Sequence, residues 1–181
     1  EEATEIIEGL RKDGFAYIAF KPGTETQIRD ALKIADANPK IPIILMVEDG
    51  HAGGHHSWVD LDDMLTATYA EVRARSNALL AVGGGVYSPE RAADLLTGEW
   101  ASRWGLSPMP VDAVFIGTVA MASKEAKATD SVKDLLVNTP GITPDDNGGW
   151  VSRGTGRGGV ASSQSHLLAD IHDLDNSFAK A

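Results

Sequence analysis

Five histidines, no cysteine and a set of glycine-rich turns define the chemistry open to this 181-residue chain. The densest stretch is Glu48-Asp-Gly-His-Ala-Gly-Gly-His-His-Ser57. There Gly53 and Gly54 bring the imidazoles of His55 and His56 forward with little steric shielding. Histidine titrates at about pH 6.5, so such a ring gives or takes a proton at neutral pH without a large shift. His51, His55 and His56 with Asp60 or Asp62 also supply enough donors for zinc. They are strung along a glycine loop rather than set on one helix face, so no metal is expected.

Two further turns, Gly83-Gly84-Gly85 and Gly117-Thr118, each follow an apolar run and precede a possible helix start. Backbone N–H groups in such turns, aided by a helix dipole, can hold a phosphate. One glycine turn alone is explained by tight geometry, whereas two in successive loops favour a shared phosphate site. Lys21, after the first apolar run, can place a cation over an anionic ring or a substrate oxygen. Gly154-Thr-Gly-Arg-Gly-Gly159 matches the dinucleotide pattern G-x-G-x-x-G, but no strand is expected before it and no βαβ unit surrounds it. It reads as a mobile loop, with Arg153 and Arg157 as local positive charge.

The elements that position these loops follow from the hydrophobic pattern. Residues 15–20, 41–47, 78–82 and 113–116 read as strands. The almost continuous apolar run of the second is that of a parallel strand buried on both sides. Thr24-Glu-Thr-Gln27 is a capping box opening a helix with Ile28, Ala31, Leu32 and Ala35 on one face. Leu61, Met64, Leu65, Thr68, Tyr69 and Val72 mark the next helix, and Ser88-Pro89 opens a third through Leu96. Residues 97–110, with Trp100 and Trp104, read as an insertion. Alternating strands and helices give an α/β fold with a parallel sheet, and the loops at its carboxyl edge are where ligands bind. Four units are half of a (β/α)₈ barrel, and an open sheet fits the periodicity equally well. Beyond Asn138 a loop should lead into a helix carrying Leu167, Ile171, Leu174 and Phe178. The expected division is 1–137 for the half-barrel and 138–181 for this appendage.

Twenty-six acidic against sixteen basic residues give a net charge of −10, which repels nucleic acid and anionic lipid. No stretch approaches the roughly 20 apolar residues of a membrane span. Absence of cysteine removes disulfides, thiolate zinc sites and a cysteine nucleophile, in keeping with a reducing cytoplasm. The chain opens on Glu1 in a helix-like pattern, as expected of a segment from a longer polypeptide.

Several segments in order resemble one family, the FMN-dependent enoyl reductase domain of type I fatty acid synthases, found in the bacterial multienzyme and the fungal β subunit. They are Phe20-Lys-Pro-Gly23, Gly53-Gly-His-His-Ser57, Leu96-Thr-Gly-Glu-Trp100, Pro108-Met-Pro110, Gly117-Thr118 with Met121-Ala-Ser-Lys-Glu-Ala126, and Ala169-Asp-Ile-His172. A wider similarity, to nitronate monooxygenases and stand-alone flavin enoyl reductases, rests on Gly53-Gly-His55, Gly84-Gly85 and Gly117-Thr118. The resemblance implies the C-terminal half of a (β/α)₈ barrel. His55 would be its catalytic proton-transfer residue, with His56 as second choice. Lys21, Gly53, Gly54, Gly83, Gly84, Gly85, Gly117 and Thr118 would line the FMN site. It further implies ping-pong reduction of an enoyl thioester on acyl carrier protein by NADPH through FMN, inside a homo-oligomer with the other synthase domains as partners. The sequence departs from the pattern before the histidine loop, with Met46-Val47 in place of Gln-Trp and His51 in place of arginine. A nitronate monooxygenase-type oxidase and a non-catalytic segment of the synthase are the alternatives.

Overall fold

A computed structural model describes residues 2–142 and 156–174. The first part runs α1 (Glu2–Lys12), β1 (Ile18–Phe20), α2 (Glu25–Ala37), β2 (Ile43–Glu48), β3 (Gly54–His55), α3 (Leu61–Arg73), β4 (Ala78–Gly83) and α4 (Pro89–Thr97). A 3₁₀ helix (Glu99–Trp104), β5 (Ala113–Phe115), α5 (Thr118–Met121) and α6 (Asp130–Asn138) follow. The second part is β6 (Gly156–Arg157), β7 (Val160–Gln164) and β8 (Asp170–Leu174).

Strands β1, β2, β4 and β5 form a parallel sheet in that order, as the pattern predicts. The helix starts are those the sequence marks. Thr24 Oγ1 accepts from Gln27 N–H at 3.2 Å while Gln27 Oε1 accepts from Gly23 N–H at 2.8 Å. Ser88 Oγ caps α4 through Arg91 N–H, with Pro89 in the first turn. These bonds satisfy backbone donors that a helix leaves unpaired.

One face of the sheet carries the core. Ile43, Leu45 and Val47 of β2 and Leu80 and Val82 of β4 cluster with Ile28 and Leu32 of α2, Met64 and Leu65 of α3, Leu95 of α4 and Trp100. The 97–110 stretch joins that core through Trp100 and Ala101, with Met109 packed against it; Trp100 is fully buried and its Nε1–H donates to Met109 O at 2.9 Å. The opposite face is partly bare: Leu79 and Ala19 are exposed and Ile44 and Met46 half-buried. Cross-strand register puts Ala19, Ile44 and Leu79 in one row on that face.

The predicted C-terminal helix is corrected. Residues 170–174 are strand β8, antiparallel to β7 on one side and to β3 on the other, in a second sheet of order β3-β8-β7-β6. Leu167, one of the supposed helical contacts, is 91% exposed in the connecting turn, and Phe178 lies outside the described residues. The turn gives no glycine or asparagine signal, because Leu168 takes the positive φ of 62°. Leu168 N–H donates to Ser165 O at 2.9 Å and closes it. Of the G-x-G-x-x-G match, Gly156–Arg157 form β6 and Gly158-Gly159 the turn into β7, while Arg153, Gly154 and Thr155 lie outside the described residues.

Candidate active site at the carboxyl edge of the parallel sheet

Four parallel strands deliver their following loops to one edge, and β3 adds the histidines. Lys21 follows β1, Glu48 ends β2, Gly83 ends β4, and Gly117-Thr118 lies just beyond β5. The centre is Glu48, whose side chain is only 8% exposed. Its Oε2 lies 2.5 Å from Lys21 Nζ and 3.0 Å from His55 Nδ1. Lys21 Nζ and His55 Nδ1 are themselves 3.2 Å apart. Both nitrogens are satisfied when each donates to the carboxylate between them, so the lysine–histidine approach is a consequence of the shared acceptor. That assignment puts a proton on Nδ1 and directs Nε2 of the half-exposed His55 away from Glu48.

Asp49 and His51 form a second pair behind the first. Asp49 Oδ1 accepts from His51 N–H at 2.7 Å and Oδ2 from His51 Nδ1 at 2.8 Å. Burial lowers the proton affinity of His51, but the bond to Asp49 and the charges of Asp49 and Asp60 outweigh it and Arg91, leaving the pKa raised. Gly84 and Gly85 take φ of 96° and 62°. A methyl on Gly84 would overlap Asp49 Oδ1, and one on Gly85 would lie 2.9 Å from His51 Cβ. Close approach of this pair is therefore sufficient reason for both glycines. A side chain at Gly83 would strike the Phe115 ring.

The turn after β5 is more open. Nothing lies within 4 Å of the position a Cβ on Gly117 would take, while one on Gly53 would be 2.5 Å from Thr118 Oγ1. The histidine loop and the β5 turn are thus in contact, and Gly54 also faces open space. The Cβ sides of Gly117 and Gly54 are open, whereas that of Gly84 is filled by a carboxylate. Neither turn runs into a long helix at once: α5 is a single turn, and α4 starts only at Pro89 behind its Ser88 cap. The dipole of a long helix therefore adds little to either.

His56 lies inside. It is 4% exposed and stacks on His172, 5% exposed, with centroids 3.4 Å apart and planes 6° from parallel. Each Nδ1 meets a backbone carbonyl, Ser57 O at 2.5 Å for His56 and Ala52 O at 3.0 Å for His172. A carbonyl only accepts, so both rings carry their proton on Nδ1, and neither buried Nε2 has a partner among the described residues. Burial lowers both pKa values, that of His172 to about 4. The other donors of the zinc reading have other roles: Asp60 caps α3 and Asp62 pairs with Arg91.

Glu48, Asp49 and His172 are the residues that sequence reasoning did not single out. A carboxylate closing an otherwise apolar parallel strand was a usable signal for Glu48. Only membership of the Ala169-Asp-Ile-His172 segment pointed to His172.

Residues 42–181 match the family model described as fatty acid synthase subunit beta/Fas1-like, helical. The chain belongs to this family. It is 36% identical over 167 residues to the fatty acid synthase beta subunit aflB of Emericella nidulans, covering 92% of this chain and 8% of that protein. It is 38% identical over 173 residues to the fatty acid synthase subunit beta of Gibberella zeae, covering 95% and 8%. Fatty acid synthase 2 of Mycosarcoma maydis is 38% identical over 177 residues, covering 97% and 5%. The chain therefore spans less than a tenth of these relatives. Among its described residues no helix is long and apolar enough to cross a membrane.

Proposed function

We propose that this chain is one half of the enoyl reductase barrel of a fatty acid synthase β subunit, and that His55 is its proton donor. The observation that carries the reading is the Lys21–Glu48–His55 constellation at the carboxyl edge of the parallel sheet, where barrel enzymes keep their reacting groups. A parallel sheet needs cover on both faces. The bare row of Ala19, Ile44 and Leu79 supports a second set of βα units closing the barrel. Kinship with β subunits supports the other synthase domains as partners, an acyl carrier protein presenting the thioester, and assembly into a homo-oligomer.

The chemistry that FMN supplies when bound is hydride transfer from NADPH to the β-carbon of the enoyl thioester. This chain contributes positioning and a proton. Backbone groups of Gly117-Thr118, with Gly54 leaving space and Gly53 letting the histidine loop lie against Thr118, would hold the phosphate. Glu48 fixes the ring of His55 through Nδ1–H, so the imidazolium form gives its Nε2 proton to the substrate α-carbon and is left as the neutral ring with its proton on Nδ1. Lys21 balances the buried carboxylate that orients His55.

In the full-length synthase, His55→Ala should keep its flavin and slow thioester reduction by about 10² to 10⁴, the usual contribution of a positioned general acid. Flavin reduction by NADPH should change far less. Rapid mixing separates the two half-reactions. Equal slowing of both would make His55 a flavin-positioning group, and no slowing of either would remove it from the mechanism.

A further inference from the structure

The histidine loop is not self-supporting. β3 is two residues long, and its ladder partner is β8, with Gly54 opposite His172 and His55 opposite Ile171. A pairing this short holds no fixed geometry alone, and Gly54, at φ 76° with open space around it, resists displacement least. The base of the loop is tied by Gly50 N–H to Val59 O at 3.1 Å and Ser57 N–H to Asp49 O at 3.3 Å, and the hairpin adds contacts around its histidines. His56 N–H donates to Asp170 O at 3.3 Å and Trp58 Nε1–H to Asp170 Oδ2 at 2.8 Å. His172 contributes most from a single side chain. Its Nδ1–H holds Ala52 O at 3.0 Å on one side of Gly53-Gly54, and its ring lies flat on His56 on the other side of His55. Trp58 closes the stack edge-on, 4.6 Å from His56 and 6.3 Å from His172.

We propose that His172 is a positioning residue for His55, so that the C-terminal hairpin belongs to the reaction site. This rests on the proton-donor reading of His55. Glu48 grips His55 from the sheet, and His172 clamps the backbone on both sides of it. Neither His172 Nδ1, bonded to a carbonyl, nor Nε2, buried, reaches the substrate side. Its effect is geometric, and misplacement of a reacting group by about 1 Å can cost on the order of 10²-fold in rate.

The clamp also has a sign with respect to pH. The stack is stable as two neutral rings, and protonating either puts a charge in a closed space against its neighbour. The groups facing the pair are Asp170, Asp173 and Glu48, which favour protonation, and His51 and His55, which oppose it. Burial outweighs the acids, so the clamp is intact at neutral pH and loosens as pH falls from the ordinary histidine range toward about 4.

The test uses the full-length synthase with His172→Ala and His172→Phe. The alanine variant loses both stack and bond. Its thioester-reduction kcat should fall about 10- to 100-fold, with KM and bound flavin unchanged. Phenylalanine restores a ring that cannot be protonated. It should recover most of the rate at neutral pH and retain activity further into the acid range than wild type. If His172→Ala does not fold, the pH profile of His172→Phe still decides. An alanine variant as fast as wild type, or identical acid limbs for wild type and His172→Phe, would overturn the proposal. His55→Ala run in parallel separates the two levels. If it is harmless the proton-donor reading falls with this one, and if it is damaging while His172→Ala is harmless, only the clamp falls.

Discussion

Replacing Gly84 by alanine asks whether the turn after β4 is glycine because of its own packing. Gly84 sits at φ 96°, a conformation that costs an L-residue about 1 to 2 kcal/mol. The added methyl would overlap Asp49 Oδ1, which cannot simply rotate away. That oxygen accepts from His51 N–H at 2.7 Å while Oδ2 is held by His51 Nδ1 at 2.8 Å, and the side chain is 4% exposed. Displacing the carboxylate forfeits at least one charge-assisted bond, about 1.5 to 3 kcal/mol. Gly84→Ala should therefore destabilise the chain by about 2.5 to 5 kcal/mol, reaching the upper end for a single substitution. Asp49→Ala removes the obstacle, so in that background the glycine substitution should cost only its backbone strain of about 1 to 2 kcal/mol. The coupling energy is then the forfeited bond, about 1.5 to 3 kcal/mol. Urea denaturation of the four proteins, followed by tryptophan fluorescence at low protein concentration, measures the cycle. Costs that add to within about 0.5 kcal/mol would refute the reasoning, because Asp49 would then have no part in fixing the glycine.

Two other expectations follow from the same geometry. His51 has a raised pKa in the folded chain, so the stability it adds is fully present below its ordinary pKa and is lost as pH rises through the folded value. His51→Asn can still donate to Asp49 without titrating, and its urea midpoint relative to wild type should improve as pH rises from mildly acid to alkaline, a trend that parallel curves would exclude. The bare face should also make the isolated chain self-associate, since Leu79 is 38% exposed at its centre. Leu79→Lys should shift sedimentation toward monomer with the circular dichroism unchanged, and a wild-type chain already monomeric at high concentration would show the face to be harmless.

Legibility in the sequence divided along a physical line. The parallel sheet was readable because β2 and β4 carry unbroken apolar runs, and because Thr24 and Ser88 cap their helices through bonds between near neighbours. Such signals are local. The second sheet was not readable, since β8 pairs with Gly54-His55 more than a hundred positions away and its turn contains Leu168 at positive φ where glycine or asparagine would have marked it. The spacing of Leu167, Ile171 and Leu174 fits a helix as well as a turn and strand, and long-range pairing decided for the strand.

The site shows the same division at the level of single side chains. Residue type and the family resemblance were enough to bring His55, Lys21 and the glycine turns to one edge of the sheet. What those residues do there depends on Glu48, which ends a strand otherwise composed of Ile43, Ile44, Leu45, Met46 and Val47. A carboxylate taken that deep costs several kcal/mol unless it is paired, and Lys21 at 2.5 Å with His55 at 3.0 Å are the pairing groups. The two glycine turns part company on the same ground. The one after β4 packs against a carboxylate and the one after β5 faces open space, so similar sequences at successive strand ends carry different duties. The proposed phosphate site therefore rests on Gly117-Thr118, beside the loop that carries His55, and the Asp49–His51 pair accounts for Gly84 and Gly85 without an anion.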